Sequence, residues 1–144
     1  PDRIPQEEPN YLSVAHTLKS WFLTGDHKRI AILYLISVTF FFFLGSLAAG
    51  MIRYELTAPA GVVLESDTYN KVFSSHGVIM VFFFLVVAIP AVFGNFLIPL
   101  MIGARDLAFP RLNLLSWYLY MIGGTLALGG IVAGGIDTGW TFYT

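Results

Sequence analysis

The sequence predicts an all-α fold, a polytopic transmembrane helical bundle preceded by a short amphipathic helix at the interface. Three observations predict it. Hydrophobic residues make up 56% of the 144-residue chain and charged residues only 12%, about half the charged share of a soluble domain. Three apolar runs are each long enough to cross a hydrocarbon core of about 30 Å. Charged side chains fall between those runs, not within them.

Taken in order, Pro5 through Pro9 with Glu7 and Glu8 reads as a solvated tail. Asn10 to Leu23 follows, with Leu12, Leu18, Trp21 and Phe22 on one side. It is too short to cross a bilayer and reads as an interfacial helix. Residues 1–27 are therefore assigned to a cytoplasmic tail and interfacial helix, and 28–144 to three transmembrane helices. The first covers about residues 30–52, roughly 35 Å at α-helical rise. The second, about 72–102, is longer than a bilayer requires, with Pro90, Gly94 and Pro99 as expected bend points. The third covers about 112–133. There Gly123, Ala127, Gly130 and Gly134 recur at helical spacing and predict close packing against another helix.

Charge distribution sets the expected orientation. Arg3, Lys19, Lys28, Arg29, Arg105 and Arg111 share one side, against Arg53 and Lys71 on the other. Six against two puts the amino terminus in the cytoplasm. The net charge of −1 argues against a nucleic-acid partner, because no basic excess is present to neutralise phosphates. Cysteine is absent, which removes disulfides, thiolate metal sites and cysteine nucleophiles. The start at Pro1, without methionine, and the stop just after the turn-like Gly134–Gly139 read as a segment of a longer polypeptide.

His76 lies in one of the most apolar stretches, Val72–Pro90. An imidazole there needs an internal partner, either a polar group on a neighbouring helix or a metal. Gly77 and the third-span glycines leave room for a flat cofactor, and histidine nitrogen commonly holds haem iron. No second histidine is suitably placed: His16 is on the interfacial helix and His27 at the inner end of the first span. In the loop Gly103–Arg111, Asp106 sits between two arginines. The loop is either a solvated turn that sets orientation or a proton entrance, with Asn95, Asn113, Ser116 and Tyr34 lining a path of ordered water. Counting residues puts Asp106 and His76 roughly 45 Å apart, at opposite membrane faces.

These motifs, in this order, resemble subunit I of the haem-copper oxygen reductases, most closely the cytochrome c oxidase branch. Asp26–Tyr34 is similar to the family's opening to helix one. His76–Phe83 is similar to the second-helix motif carrying an axial ligand of the low-spin haem. Gly94–Asn113 is similar to the stretch leading into the D-type proton pathway. Thr138–Tyr143 is similar to the outer loop after helix three. The resemblance implies that His76 ligates the low-spin haem iron, with haem A the expected type. It implies that Arg53 meets a peripheral substituent of that haem and Trp140 its propionates. Asp106 becomes the inner mouth of the proton pathway, with Asn95, Asn113 and Tyr34 lining it and His27 beside it. Glu55 occupies the place of a residue at an outer cation site.

Two departures stand out. The family often has two successive asparagines after the Phe-Pro-Arg turn, whereas Leu114 follows Asn113 here. The quinol-oxidising branch carries Arg, Asp, His and Gln around its quinol site. The corresponding residues here are Leu44, Ala48, Thr68 and Lys71, which favours cytochrome c as donor. Nitric oxide reductases lack the aspartate–asparagine pathway and fit less well.

The resemblance thus implies the first three helices of a twelve-helix catalytic subunit in a bacterial cytoplasmic membrane. The complete protein would oxidise cytochrome c, reduce dioxygen to water and pump protons. The second haem, the copper and their ligands lie on later helices, and the partners are those helices, other oxidase subunits and the lipid bilayer. A quinol-oxidising relative, a haem-binding electron-transfer module and a cofactor-free bundle are the alternatives.

Overall fold

The structure, a computed structural model, describes residues 18–135. Its elements are α1 (Leu18–Phe22), α2 (His27–Glu55), α3 (Ser66–Val78), two π-helical segments (Ile79–Leu85 and Ala88–Gly94), α4 (Asn95–Ile102) and α5 (Pro110–Val132). No strand occurs among the described residues. From α3 to α4 the winding continues as one 37-residue span, Ser66–Ile102. With α2 and α5 this makes three helices long and apolar enough to cross a membrane, as the composition predicts.

Each boundary has a local cause. The Asp26 carboxylate accepts from the Lys28 amide at 2.8 Å and starts α2. The Asp26 amide in turn donates to Thr24 Oγ1 at 3.1 Å. Pro110 opens α5 at the position where a missing amide hydrogen costs nothing. The second span ends at Gly103, whose φ of 67° is left-handed. The Ala104 amide then reaches back to the Pro99 carbonyl at 2.9 Å, a Schellman closure that glycine adopts without strain.

The three spans alternate in direction, and α2 is the central one. Its buried residues include Ile30, Tyr34, Ser37, Val38, Phe41 and Gly45, a stripe recurring every three or four residues. Ile30, Tyr34 and Val38 pack with Val92 of the second span and Trp117 of α5. Farther along α2, the Phe41 ring stacks on Phe83 at 4.9 Å between centroids. Gly124 of α5 is pressed against the same ring, so a β-carbon there would collide with it. Gly45 plays the matching part toward the second span, with Met80 and Ile79 lying where a β-carbon would project. Outward positions such as Met101 and Val132, 81% and 88% exposed, form an apolar exterior suited to lipid.

Four expectations change. The second span begins at Ser66 and not near 72, because the polar turn Ser66–Lys71 winds as helix before the apolar run starts. The irregularity expected at Pro90 and Gly94 takes the form of π winding, and Pro99 lies inside α4. Among the described residues nothing covers the glycine stripe: β-carbons at Gly123, Gly130 and Gly134 would meet no atom within 4 Å. Gly124, one residue off that stripe, is the one α5 packs through. The interfacial helix is described only from Leu18. Trp21 lies under the Arg29 guanidinium at 5.1 Å and Phe22 against Trp117 at 5.7 Å, while Leu18 is exposed.

Asp26→Ala leaves the Lys28 amide without its cap and should lower stability by about 1 kcal/mol. Asp26→Asn should retain most of it. Thermal midpoints of the detergent-solubilised protein carrying each variant measure the difference, and equal midpoints for Ala and wild type would contradict the cap.

Candidate functional site

His76 comes late in α3, facing α2. Its Nδ1 lies 2.9 Å from the Gly45 carbonyl oxygen. A carbonyl only accepts, so Nδ1 carries the hydrogen, and in the neutral ring Nε2 keeps the lone pair. The short approach is possible because residue 45 has no side chain. The two partners weighed for His76 are thus compatible: one nitrogen makes the interhelical hydrogen bond and the other is left as a potential ligand. A backbone carbonyl holding the far nitrogen is the usual support of a metal-bound histidine. Among the described residues no three His, Cys, Asp or Glu side chains gather, so His76 offers a single ligand. Gly45 escaped the sequence reading, since a glycine in an apolar run carries no mark of which helix it will touch.

At the other end of the bundle His27 Nδ1 lies 2.9 Å from Asp106 Oδ1. His27 is buried and Asp106 is 42% exposed, so the carboxylate stands at the rim with the imidazole behind it. Asp106 Oδ1 also accepts from the Leu107 amide at 2.8 Å. His27 and Gly45 are 18 residues apart on α2, which sets the two polar ends about 27 Å apart along its axis. The expected 45 Å is too long because it counted the non-helical loop to Asp106 and assumed α-helical rise through the π segments.

Between these ends lies an open-sided cavity of about 390 Å³, walled in part by apolar residues of the second span and in part by Tyr34, Asn95, Leu107, Asn113, Ser116 and Tyr120. All four polar residues expected from the sequence line it. Asn113 Nδ2 donates to Asn95 Oδ1 at 2.6 Å, and Asn95 Nδ2 donates to the Ala91 carbonyl at 2.6 Å. Ser116 Oγ donates its one hydrogen to the Asn113 carbonyl at 2.7 Å. Tyr34 must therefore be the donor in its 2.8 Å contact with Ser116. Leu107, the residue that follows Asp106, is part of the wall. Tyr120, also on the wall, was not singled out by sequence because aromatic residues in an apolar helix read as packing.

The four residues aligned with quinol-site positions also converge. Leu44, Ala48, Thr68 and Lys71 all line one groove of about 380 Å³, apolar apart from Thr68, Lys71 and Ser75. Lys71 Nζ pairs with Asp67 at 2.6 Å, and Gly135 packs on the Lys71 stem.

Arg53, in the last turn of α2, is exposed beside Tyr54 and Thr57. Glu55, expected at a cation site, is 6% exposed. Oε1 accepts from the Val62 amide at 3.0 Å, and Oε2 from Val63 and Leu64 at 2.9 and 3.0 Å. Those donors complement the carboxylate itself and oppose a cation at the same oxygens. Gly61, at φ 78°, brings the loop close over it. His16 and Trp140, with the Thr138–Tyr143 motif, lie outside the described residues.

The chain is similar to known proteins over most of its length. The family model described as "Cytochrome C and Quinol oxidase polypeptide I" matches residues 29–144. The "Probable quinol oxidase subunit 1" of Staphylococcus aureus (strain USA300) is 47% identical over 128 residues, covering 87% of this chain. Its Staphylococcus haemolyticus namesake is 45% identical over the same length. The chain spans 19% of the length of these relatives.

Glu55→Ala leaves three loop amides without an acceptor. Hydrogen exchange at residues 62–64 should accelerate, while exchange in the middle of α2 stays unchanged. Unaltered exchange at 62–64 would show that the carboxylate does not hold the loop.

Proposed function

The chain belongs to the cytochrome c and quinol oxidase polypeptide I family, and on that premise we propose that residues 28–144 form the first three helices of a catalytic subunit of a terminal oxidase reducing dioxygen to water. Within it this segment supplies one ligand of a low-spin haem and the entrance for protons. The observation that carries the reading is the His76–Gly45 bond, which leaves Nε2 with a lone pair inside an apolar bundle.

Bound haem iron supplies one-electron transfer. For this chain the task is to hold it. His76 would hold the iron through Nε2, while the Gly45 carbonyl fixes the ring through Nδ1 and would raise its basicity. By the family resemblance Arg53 would serve a peripheral substituent of that haem, and Trp140, outside the described residues, its propionates. The second haem ligand, the second haem and copper come from later parts of the polypeptide. At the opposite end Asp106 collects protons from the cytoplasmic side, an orientation supported by the excess of Lys and Arg there. Water in the cavity carries them inward, oriented by Asn95, Asn113, Ser116 and Tyr34. Proton uptake at one face, with electron delivery from the other, moves charge against the membrane potential, worth about 2.3 kcal/mol per charge per 100 mV.

Quinol is the proposed electron donor. The names of the relatives support it, and so does the apolar groove formed by Leu44, Ala48, Thr68 and Lys71. Cytochrome c is the second reading, favoured by the lack of Arg, Asp, His and Gln at those four positions. Oxygen consumption by the purified complex with a quinol and with reduced cytochrome c decides between them. Turnover with cytochrome c alone would reject quinol.

His76→Leu should abolish the low-spin haem bands in the reduced-minus-oxidised spectrum, and an unchanged spectrum would remove His76 as ligand. Asp106→Asn should keep haem content but slow proton uptake by about a hundredfold, the low end for removing a positioned proton-transfer group. Normal uptake and pumping would end the entrance assignment.

A further inference from the structure

Tyr120 has no role in that proposal, yet it touches the π-wound part of the second span. The second span is π-wound on both sides of Val86–Val87. In π winding each carbonyl is offered to the amide five residues on, not four. Pro90 has no amide hydrogen for either Leu85 or Val86. The backbone between His76 and Asn95 is therefore less tightly bonded than an α-helix of the same length.

Two side chains donate into this stretch. Tyr120 Oη donates to the Phe83 carbonyl at 2.7 Å, and Asn95 Nδ2 to the Ala91 carbonyl at 2.6 Å. Both acceptors lie within the π segments. The Tyr120 ring is wedged against Tyr34 and Phe41, each at 5.6 Å, and Phe83 at 6.0 Å. Its hydroxyl is therefore aimed, not free to turn. A register shift of one residue would rotate everything beyond it by roughly 100°. That rotation would carry Asn95 away from Asn113, its partner at 2.6 Å.

We infer that Tyr120 is a positioning residue for the proton pathway: its hydroxyl, on the Phe83 carbonyl, locks the second span in the winding that keeps Asn95 opposite Asn113 on the cavity wall. The inference rests on the proton-pathway reading of that cavity. Tyr120 acts through Asn95 and through the shape of the wall, without transferring a proton itself.

The test uses the complete oxidase that contains this chain. Tyr120→Phe keeps the ring and removes only the donor. Proton-coupled oxygen consumption should fall about fivefold, the equivalent of the ~1 kcal/mol of one neutral hydrogen bond. Haem content and donor KM should not change, and amide exchange over residues 84–95 should accelerate. In an Asn95→Ala background the Tyr120→Phe effect on turnover should vanish, a coupling that a general packing defect does not produce. Unchanged turnover and exchange, or additive effects of the two substitutions, overturns the inference. Asp106→Asn separates the two levels. Normal proton uptake in Asp106→Asn defeats the pathway reading, whereas slowed uptake there with wild-type behaviour in Tyr120→Phe defeats only the role of Tyr120.

Discussion

A polar group in hydrocarbon has no water to bond, so its partner must come from the protein. Most of the tertiary structure here follows from that requirement. Trp117 Nε1 donates to Ser37 Oγ at 3.2 Å, and Ser37 passes its own hydrogen to the Leu33 carbonyl at 2.7 Å. His76, Asn95 and Tyr120 likewise each end on a main-chain carbonyl. Among the described residues no buried side-chain nitrogen or oxygen lacks a partner. Helices that share only apolar surface gain little from touching in lipid. These bonds therefore determine which faces meet.

The same requirement explains why α2 is central. It offers carbonyls and hydroxyls to both neighbours, and its one glycine in tight contact, Gly45, stands where the second span presses closest. One turn before Gly45, Phe41 fills the space opened by Gly124 of α5 while stacking on Phe83 of the second span. Close approach and polar bonding are thus coupled. The backbone must come near before its carbonyl can be reached, and small residues permit the approach.

Composition and span length made the membrane bundle legible, because bilayer thickness translates directly into residue count. The wall of Tyr34, Asn95, Asn113 and Ser116 was legible too, since polar residues in an apolar helix tend to face each other. His27 beside Asp106 was implied by the family resemblance. What stayed hidden depends on the rotational setting of one helix against another. Gly124 and not Gly123 meets Phe41 because α5 is turned by one residue from the stripe the sequence suggested. The π winding was invisible because residues 79–94 are apolar on every side, and a uniform run has no phase to read. Leu44, Ala48, Thr68 and Lys71 were compared by identity alone, and identity did not reveal that they enclose one groove. That groove and the names of relatives support quinol as the proposed donor, where the identities of the four residues had favoured cytochrome c.

The Gly45 carbonyl belongs to the main chain, and this has a consequence for how the sequence can drift. A side-chain acceptor for His76 would be lost by many single substitutions. A carbonyl is supplied by every amino acid, so no replacement at residue 45 deletes it. Size alone is constrained there, since anything with a side chain meets Met80 and Ile79. The histidine's support is therefore exposed to one narrow kind of mutational damage, steric and not chemical. The residues around it are free to exchange one apolar side chain for another while the acceptor stays in place.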